Sequence, residues 1–392
     1  MYNFDEVIDR RGTNSYKYDF PQRFGKPVDA LPLWVADMDF RVPSPVMDAI
    51  QRVADHGIYG YTETDESYFA AVAGWFAHRH DYHVKSDWVV KAPGVVFALG
   101  MAIRGLTAPG DAILIQKPLY PPIENTIVAN GRIPVNSPLV YTGGRYTIDL
   151  EDFESRIIES KARMFILCSP HNPGGRVWTR DELLAMGRIC QRHNCIVVSD
   201  EIHCDIVFEG HRHLMFTEVC EEFAEFSVIC TAPSKTFNLA GLQVSNMLIP
   251  NEKLRGKIKH EIWATGYSQL NTMGLAACQA AYLYGGVWLD ELMVYLAANA
   301  AFVCEYLAAQ APGVRPIPLE GSYLKWLDFN ALGVPHQELL EGLNQAKVWL
   351  SSGLDFGTEG DGFFRVNLAC PRSVLEEGME RVAGAVRALV KG

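Results

Sequence analysis

From about residue 45 to residue 285, short apolar runs alternate with segments of helical spacing. The runs are Trp88 to Lys91, Ala112 to Gln116, Met164 to Cys168, Ile196 to Ser199, Ser227 to Cys230 and Val244 to Ile249. That rhythm predicts an α/β fold with a mostly parallel sheet. Two spacers read clearly as helices over the sheet: Asp149 to Ser160, and Thr179 to His193, where Thr179 and Glu182 have the spacing of a capping box. The pattern then changes. Val287 to Gln310 is a long Ala/Leu-rich helical stretch, followed by extended runs near Ser322 to Phe329 and Phe363 to Leu368 and a final helix from about Ser373. This second rhythm predicts a smaller α+β domain. Residues 1–45 are rich in Asp, Arg, Tyr and Pro, and their one apolar patch, Leu31 to Phe40, is flanked by prolines that forbid a long helix. The expected organisation is an N-terminal arm that is part of the small domain (1–45), a large domain (46–286), and a linking helix with a C-terminal small domain (287–392).

Composition narrows the partners. A chain of 392 residues with 48% hydrophobic positions can fill two ordinary cores. A net charge of -11 without any Lys/Arg block argues against a nucleic-acid partner and for a small-molecule one. The N-terminus lacks a basic start followed by an apolar run, and no stretch of about eighteen uncharged apolar residues occurs, so neither a signal peptide nor a membrane span is expected. The expected location is the cytoplasm. Nine cysteines, an odd number without a Cys-x-x-Cys pair, fit buried reduced thiols better than disulfides or zinc.

The candidate chemistry sits where strands end, because ligands of parallel α/β sheets bind at the carboxyl ends of the strands. Lys235 lies in Thr231-Ala-Pro-Ser-Lys-Thr-Phe-Asn-Leu-Ala-Gly241, where small neighbours admit a bulky partner and partial desolvation would ease loss of its proton. A solvated loop lysine is the plainer reading. Gly94 turns the chain so that the free N–H groups of Val95 and Val96 face outward at a helix start, a geometry that holds a phosphate or simply turns the chain. Tyr120 is set in a proline-rich turn where its ring covers a flat ligand or fills a core. Asn172, within Ser169-Pro-His-Asn-Pro173, offers an amide donor or serves a plain turn. Asp200 emerges where a buried strand ends, which costs free energy unless a cationic partner such as a protonated ring nitrogen meets it. A phosphate site, an aromatic cover, an amide donor, an acid and an amine together match the needs of pyridoxal 5′-phosphate. Two other segments, His78-Arg-His80 and His211-Arg-His213, have no acid or Cys at ligand spacing and read as solvated basic turns, so no metal is expected.

These strings also carry a family resemblance. In order and spacing, Ser169 to Pro173, Ser199 to His203 and Ala232 to Gly241 resemble the aspartate-aminotransferase-like fold type I enzymes, from near residue 30 to the C-terminus. Leu33-Trp-Val-Ala-Asp-Met-Asp-Phe40, Tyr59-Gly-Tyr-Thr62, Asp200-Glu-Ile-His203 and Arg365-Val-Asn-Leu-Ala-Cys-Pro-Arg372 resemble its MalY/PatB-type cystathionine β-lyases. The resemblance implies a seven-stranded, mostly parallel sheet in the large domain and a homodimer. It also implies roles. Lys235 would join the cofactor's aldehyde and serve as the catalytic base, Asp200 would pair with the pyridine nitrogen, Asn172 would meet the ring hydroxyl and Tyr120 would stack on the ring. Gly94, Val95, Val96 and the hydroxyls of Thr231 and Ser234 would hold the phosphate, with Tyr61 reaching the cofactor of a neighbouring subunit. Arg365 would clamp the substrate α-carboxylate beside Trp34, Ala36, Tyr120 and Asn172.

Three positions depart from the aminotransferase pattern: His203 stands where a tyrosine usually meets the ring hydroxyl, Gln243 where an arginine usually meets the phosphate, and Gly174 where Thr or Val is commoner, a change expected to act on loop stiffness. The first two favour β-elimination on L-cystathionine or related cysteine S-conjugates. The alternatives that the resemblance implies are an aminotransferase and a regulatory protein that binds a transcriptional activator.

Overall fold

Six apolar runs, and one segment that the pattern leaves unmarked, form a single seven-stranded sheet in a computed structural model that describes residues 2–267 and 269–391. Its strands are β1 (Val89–Ala92), β2 (Ala112–Ile115), β3 (Ile133–Asn136), β4 (Met164–Cys168), β5 (Ile196–Asp200), β6 (Ser227–Thr231) and β7 (Ser245–Leu248), in the order β1-β7-β6-β5-β4-β2-β3. The pairs β2–β3, β2–β4, β4–β5 and β5–β6 are parallel, and β7 runs antiparallel between β1 and β6. The chain therefore has an α/β fold with a mostly parallel sheet. The unmarked strand, β3, carries Pro134 and is half exposed, which an edge tolerates because one side of an edge strand needs no N–H donor.

Alternation along the strands divides the core. Ile113, Ile115, Ile166, Val198 and Met247 face the helices Val95–Leu106 and Glu252–Ala264, whereas Leu114, Phe165, Leu167 and Val197 face Leu150–Ser160 and Arg180–Arg192. The second of these helices starts at the expected capping box, with Thr179 Oγ1 accepting from the Glu182 N–H and the Glu182 carboxylate accepting from the Thr179 N–H. The cysteines are free thiols, and only Cys220 and Cys304 are not fully buried.

A second sheet, antiparallel, joins β8 (Arg315–Pro316), β9 (Leu324–Asp328), β10 (Ser351–Ser352) and β11 (Phe363–Asn367) in the order β8-β9-β11-β10. The N-terminal residues attach beside it. Leu31–Pro32 pairs in parallel with Val348–Trp349, and Asn367 Nδ2 donates to the carbonyls of Val35 and Asp37, each at 2.6 Å. On the other side Asn238, three residues past Lys235, donates to the carbonyls of Met38 and Phe40. Residues 35–40 are thus tied to β11 on one side and to the loop that follows Lys235 on the other, with the Ala36 carbonyl accepting from Lys235 Nζ.

Among the described residues, one helix, Gly286–Gln310, is long and apolar enough by length and composition to cross a bilayer. Its stripe of Leu289, Leu292, Leu296, Val303 and Leu307 is buried in the core, and Asp290, Glu291 and Glu305 interrupt its sequence.

Candidate functional site

Register brings the chemistry together before any side chain is considered. Cys168 pairs with Asp200 and Asp200 with Cys230, so β4, β5 and β6 end level with one another, and the loops that follow them open onto a cavity of about 140 Å³. Into it come Gly94, Val95 and Val96 from the turn after β1, Tyr120 from the start of the helix Pro121–Ala129, Asn172 after β4, Asp200 and His203 at β5, Ser234 and Lys235 after β6, and Ala36 from the N-terminal segment.

The electrostatics follow from burial. Desolvation lowers the Lys235 ammonium to about 8, against the upward pull of Asp37, and its Nζ donates to the Ala36 carbonyl at 2.7 Å. Burial raises Asp200 to about 7, opposed by one hydrogen bond from the Ile202 N–H at 3.2 Å and by Lys235. A buried carboxyl with so few donors is stabilised by a cation against it. Burial, with Lys235 and Arg365 nearby, lowers His203 to about 3, so its ring is neutral, and its Nδ1 has no hydrogen-bond partner.

Arg365 marks the other end. Buried on β11, it donates to Asn172 Oδ1 at 2.9 Å and to the Trp34 carbonyl at 3.0 Å, and it lies over the Phe356 ring with its Cζ 4.8 Å from the centroid. Desolvation lowers it to about 10, and its Nε is without a partner. A planar fork buried against an amide rather than an acid suits an incoming carboxylate.

Where the helix Val95–Leu106 begins, no side chain caps it, and a Cβ built on Gly94 would meet nothing within 4 Å. Open space in front of free N–H groups suits a phosphate. Gln243, in left-handed conformation after the turn Ala240–Leu242, and Ser234 line the same cavity. An amine for the aldehyde, an underused buried acid for the ring nitrogen, an orphan imidazole nitrogen and a helix start for the phosphate form a donor set that fits pyridoxal 5′-phosphate.

Not every expected residue arrives. Thr231 is turned away, its hydroxyl donating to the Asn246 carbonyl at 2.9 Å inside the sheet, where a paired strand leaves it no freedom to reach a phosphate. The Trp34 ring stacks on Trp349 at 4.2 Å, so it is the main-chain carbonyl of Trp34 that meets Arg365. Tyr61, expected at the cofactor of a neighbouring subunit rather than of its own, is 98% exposed and lies outside the cavity of its own chain. Gly174 is a matter of space: a Cβ there would sit 2.8 Å from His171 Nδ1 and 3.0 Å from the Tyr146 ring, so close packing rather than loop stiffness accounts for the glycine. The reading of both His-Arg-His segments as solvated turns is corrected as well, since His80 and His213 are buried, with acids supplied from other parts of the chain.

Other residues at the site carry no local signal. Tyr323 donates to the Ala36 carbonyl at 2.9 Å with its ring 6.0 Å from that of His203, and Ser351 Oγ accepts from Arg365 at 3.3 Å. Both come from the second sheet or its flank. Only the pairing of β9, β10 and β11 places them, and no spacing within one segment announces that pairing.

Comparison with known proteins shows what the whole chain is similar to. Residues 29–382 match the family model described as aminotransferase class I and II. The chain is 42% identical over 385 residues to cystathionine beta-lyase PatB of Bacillus subtilis, covering 98% of this chain and 100% of that protein. It is 33% identical over 393 residues to the MalY protein of Escherichia coli, covering 99% and 100%. Cystalysin from Treponema denticola, whose crystal structure contains pyridoxal 5′-phosphate, superposes with a TM-score of 0.95 at 35% identity over 99% of this chain and 100% of that one. The PLP-bound C-S lyase from Staphylococcus hominis gives 0.91 at 31% identity over 98% of each chain.

Proposed function

The chain belongs to the aminotransferase class I and II family, alongside the PatB and MalY proteins, and on that premise we propose that it is a pyridoxal 5′-phosphate-dependent carbon-sulfur β-lyase. Its substrates are L-cystathionine and related L-cysteine S-conjugates. With one water consumed, the products are a thiol, pyruvate and ammonia, and the thiol from cystathionine is homocysteine. The observation that carries the reading is the single cavity shared by the Lys235 amine, the Asp200 carboxyl and the neutral His203 ring, with Arg365 bonded to Asn172 at its rim.

Bound pyridoxal 5′-phosphate supplies an aldehyde for the substrate amine and a ring that withdraws electrons from Cα. The protein supplies everything else. Arg365 binds the α-carboxylate through its fork and so fixes which face of Cα is presented to Lys235. Lys235, whose lowered value of about 8 lets it lose its proton far more readily than an ordinary lysine, removes the Cα proton, and the thiolate leaves Cβ. Asp200 holds a proton on the ring nitrogen. Asn172 accepts from Arg365 through Oδ1, which leaves its Nδ2 to donate to the ring hydroxyl oxygen. Tyr120 covers the ring, while Val95, Val96, Ser234 and the neutral amide of Gln243 hold the phosphate.

Reducing the holoenzyme with borohydride is expected to fix the cofactor covalently on Lys235, as read by mass spectrometry of its peptides. Label on another lysine would overturn the assignment. A second copy of the chain completes the site. Tyr61, fully presented to solvent, is the residue a partner would offer to the phosphate. Tyr61→Phe is expected to weaken cofactor binding roughly tenfold by equilibrium dialysis, with Tm unchanged, because a charge-assisted hydrogen bond is lost. Unchanged affinity, or a monomer by light scattering, would contradict this.

A further inference from the structure

Behind the cavity wall the two His-Arg-His segments meet in one buried cluster. The rings of His80 and His213 lie 5.9 Å apart, His213 Nε2 is 2.8 Å from Glu201 Oε2, and His80 Nε2 is 2.8 Å from Asp205 Oδ1. Asp205 is the hub. It also accepts from Trp75 Nε1 at 2.9 Å and from Thr236 Oγ1 at 2.7 Å. Although burial pushes Asp205 up, the hydrogen bonds from His80, Thr236 and Trp75 hold it below the ordinary carboxylate value. His80, Cys204 and Asp205 bring ligand atoms within 4.8 Å of one another, yet the Asp205 oxygens are already engaged by three donors, and an ion would have to displace them.

Thr236 follows Lys235 and closes the one-turn helix Pro233–Thr236, which has no side-chain cap at its N-terminus. A single turn is marginal by itself, so its orientation is set by what holds its ends. One end is the strand β6. The other is the bond from Thr236 to Asp205, and Asp205 is in turn bolted to Trp75 and His80 on the helix Glu66–His80.

We propose that Asp205 is a positioning residue for Lys235: through Thr236 it fixes the turn that aims the lysine amine into the cavity, and Trp75 and His80 hold Asp205 in place. The proposal rests on the role given to Lys235 above. It needs no contact between Asp205 and substrate, and it gives buried His80 a purpose as a fixed donor rather than as a ligand.

Thr236→Val removes the hydroxyl and keeps the branched shape, while Thr236→Ser restores the hydroxyl. In the holoenzyme, Thr236→Val is expected to lower kcat for L-cystathionine roughly tenfold with KM little changed, since misdirecting the base spares the carboxylate clamp. In the apoprotein, competitive acetylation of Lys235 read by mass spectrometry is expected to show its midpoint rising from about 8 toward 10.5, as a loosened turn lets water reach the amine. Asp37, Arg365 and Asp200, the charged groups facing Lys235, are unaltered in this variant. Thr236→Ser should return both readings to wild type. If Thr236→Val does not fold, Asp205→Asn is measured in the same way. A variant that loses Tm but keeps the wild-type kcat and acetylation midpoint would show a purely structural bond and overturn the proposal. Should the cofactor prove to sit on another lysine, borohydride labelling of the wild type reports it, while the acetylation midpoint tests the Asp205 link independently.

Discussion

Alanine at Lys235 is expected to lower turnover of L-cystathionine by at least about 10⁴-fold, because one residue supplies both the amine for the cofactor and the base for the Cα proton. The cavity holds no substitute. Burial raises the Tyr120 hydroxyl and the Cys168 thiol above their ordinary values, so both keep their protons, and His203 at about 3 is too weak a base. Asp200, raised to about 7, is committed to the ring nitrogen. Of the groups lining the cavity, Lys235 at about 8 is the one matched to accept a proton near neutral pH. Pyruvate release coupled to lactate dehydrogenase measures the loss, and the visible absorption of the lysine-bound cofactor should vanish with it. Added methylamine should restore part of the activity, since a free amine can enter the space vacated by the side chain. Retention of even a hundredth of the wild-type rate without added amine would place the base elsewhere.

Asp200→Asn is expected to lower turnover by about a thousandfold or more while making the apoprotein more stable. The two effects have one cause. Burial holds the folded-state value of Asp200 at about 7, above the ordinary 3.8, so the ionised carboxyl destabilises the apoprotein. That cost is complete above pH 7 and disappears as the pH falls below the ordinary value. The isosteric amide keeps the bond from the Ile202 N–H and carries no charge, so the gain in Tm over wild type should be largest at pH 8 and fade toward pH 4. Binding a protonated ring nitrogen would turn the same burial into an advantage, because the ion pair forms out of water. Thermal melts of the two apoproteins across this pH range, beside pyruvate assays of the holoenzymes, measure both halves. An amide variant that is less stable at pH 8, or that keeps its activity, would contradict the role of the acid.

What could be read from the residues alone were the groups attached to strand ends. Lys235, Asp200, Asn172 and the turn at Gly94 each follow an apolar run, and parallel pairing brings such ends level whatever the helices between them do. The β3 strand was not legible, because Ile-Pro-Val-Asn at an edge is neither evenly apolar nor alternating. Nor were Tyr323 and Ser351, whose approach to Ala36 and Arg365 depends on the second sheet packing against the N-terminal segment. The histidines misled for the same reason. His80 lies 125 residues from Asp205 in sequence, so its spacing to nearby acids said nothing about the acid it meets. Thr231 and Trp34 were placed correctly in the chain but not in orientation, since sheet pairing in one case and ring stacking in the other decides where each side chain points.

The most direct test is a product analysis. Purified holoenzyme is incubated with L-cystathionine without any oxo acid, and pyruvate, free thiol and pyridoxamine 5′-phosphate are quantified over many turnovers. The β-lyase account predicts pyruvate and homocysteine released in equal amounts, in catalytic excess over enzyme. Pyridoxamine 5′-phosphate formed in stoichiometric amount with no free thiol would show an aminotransferase, and would contradict the account.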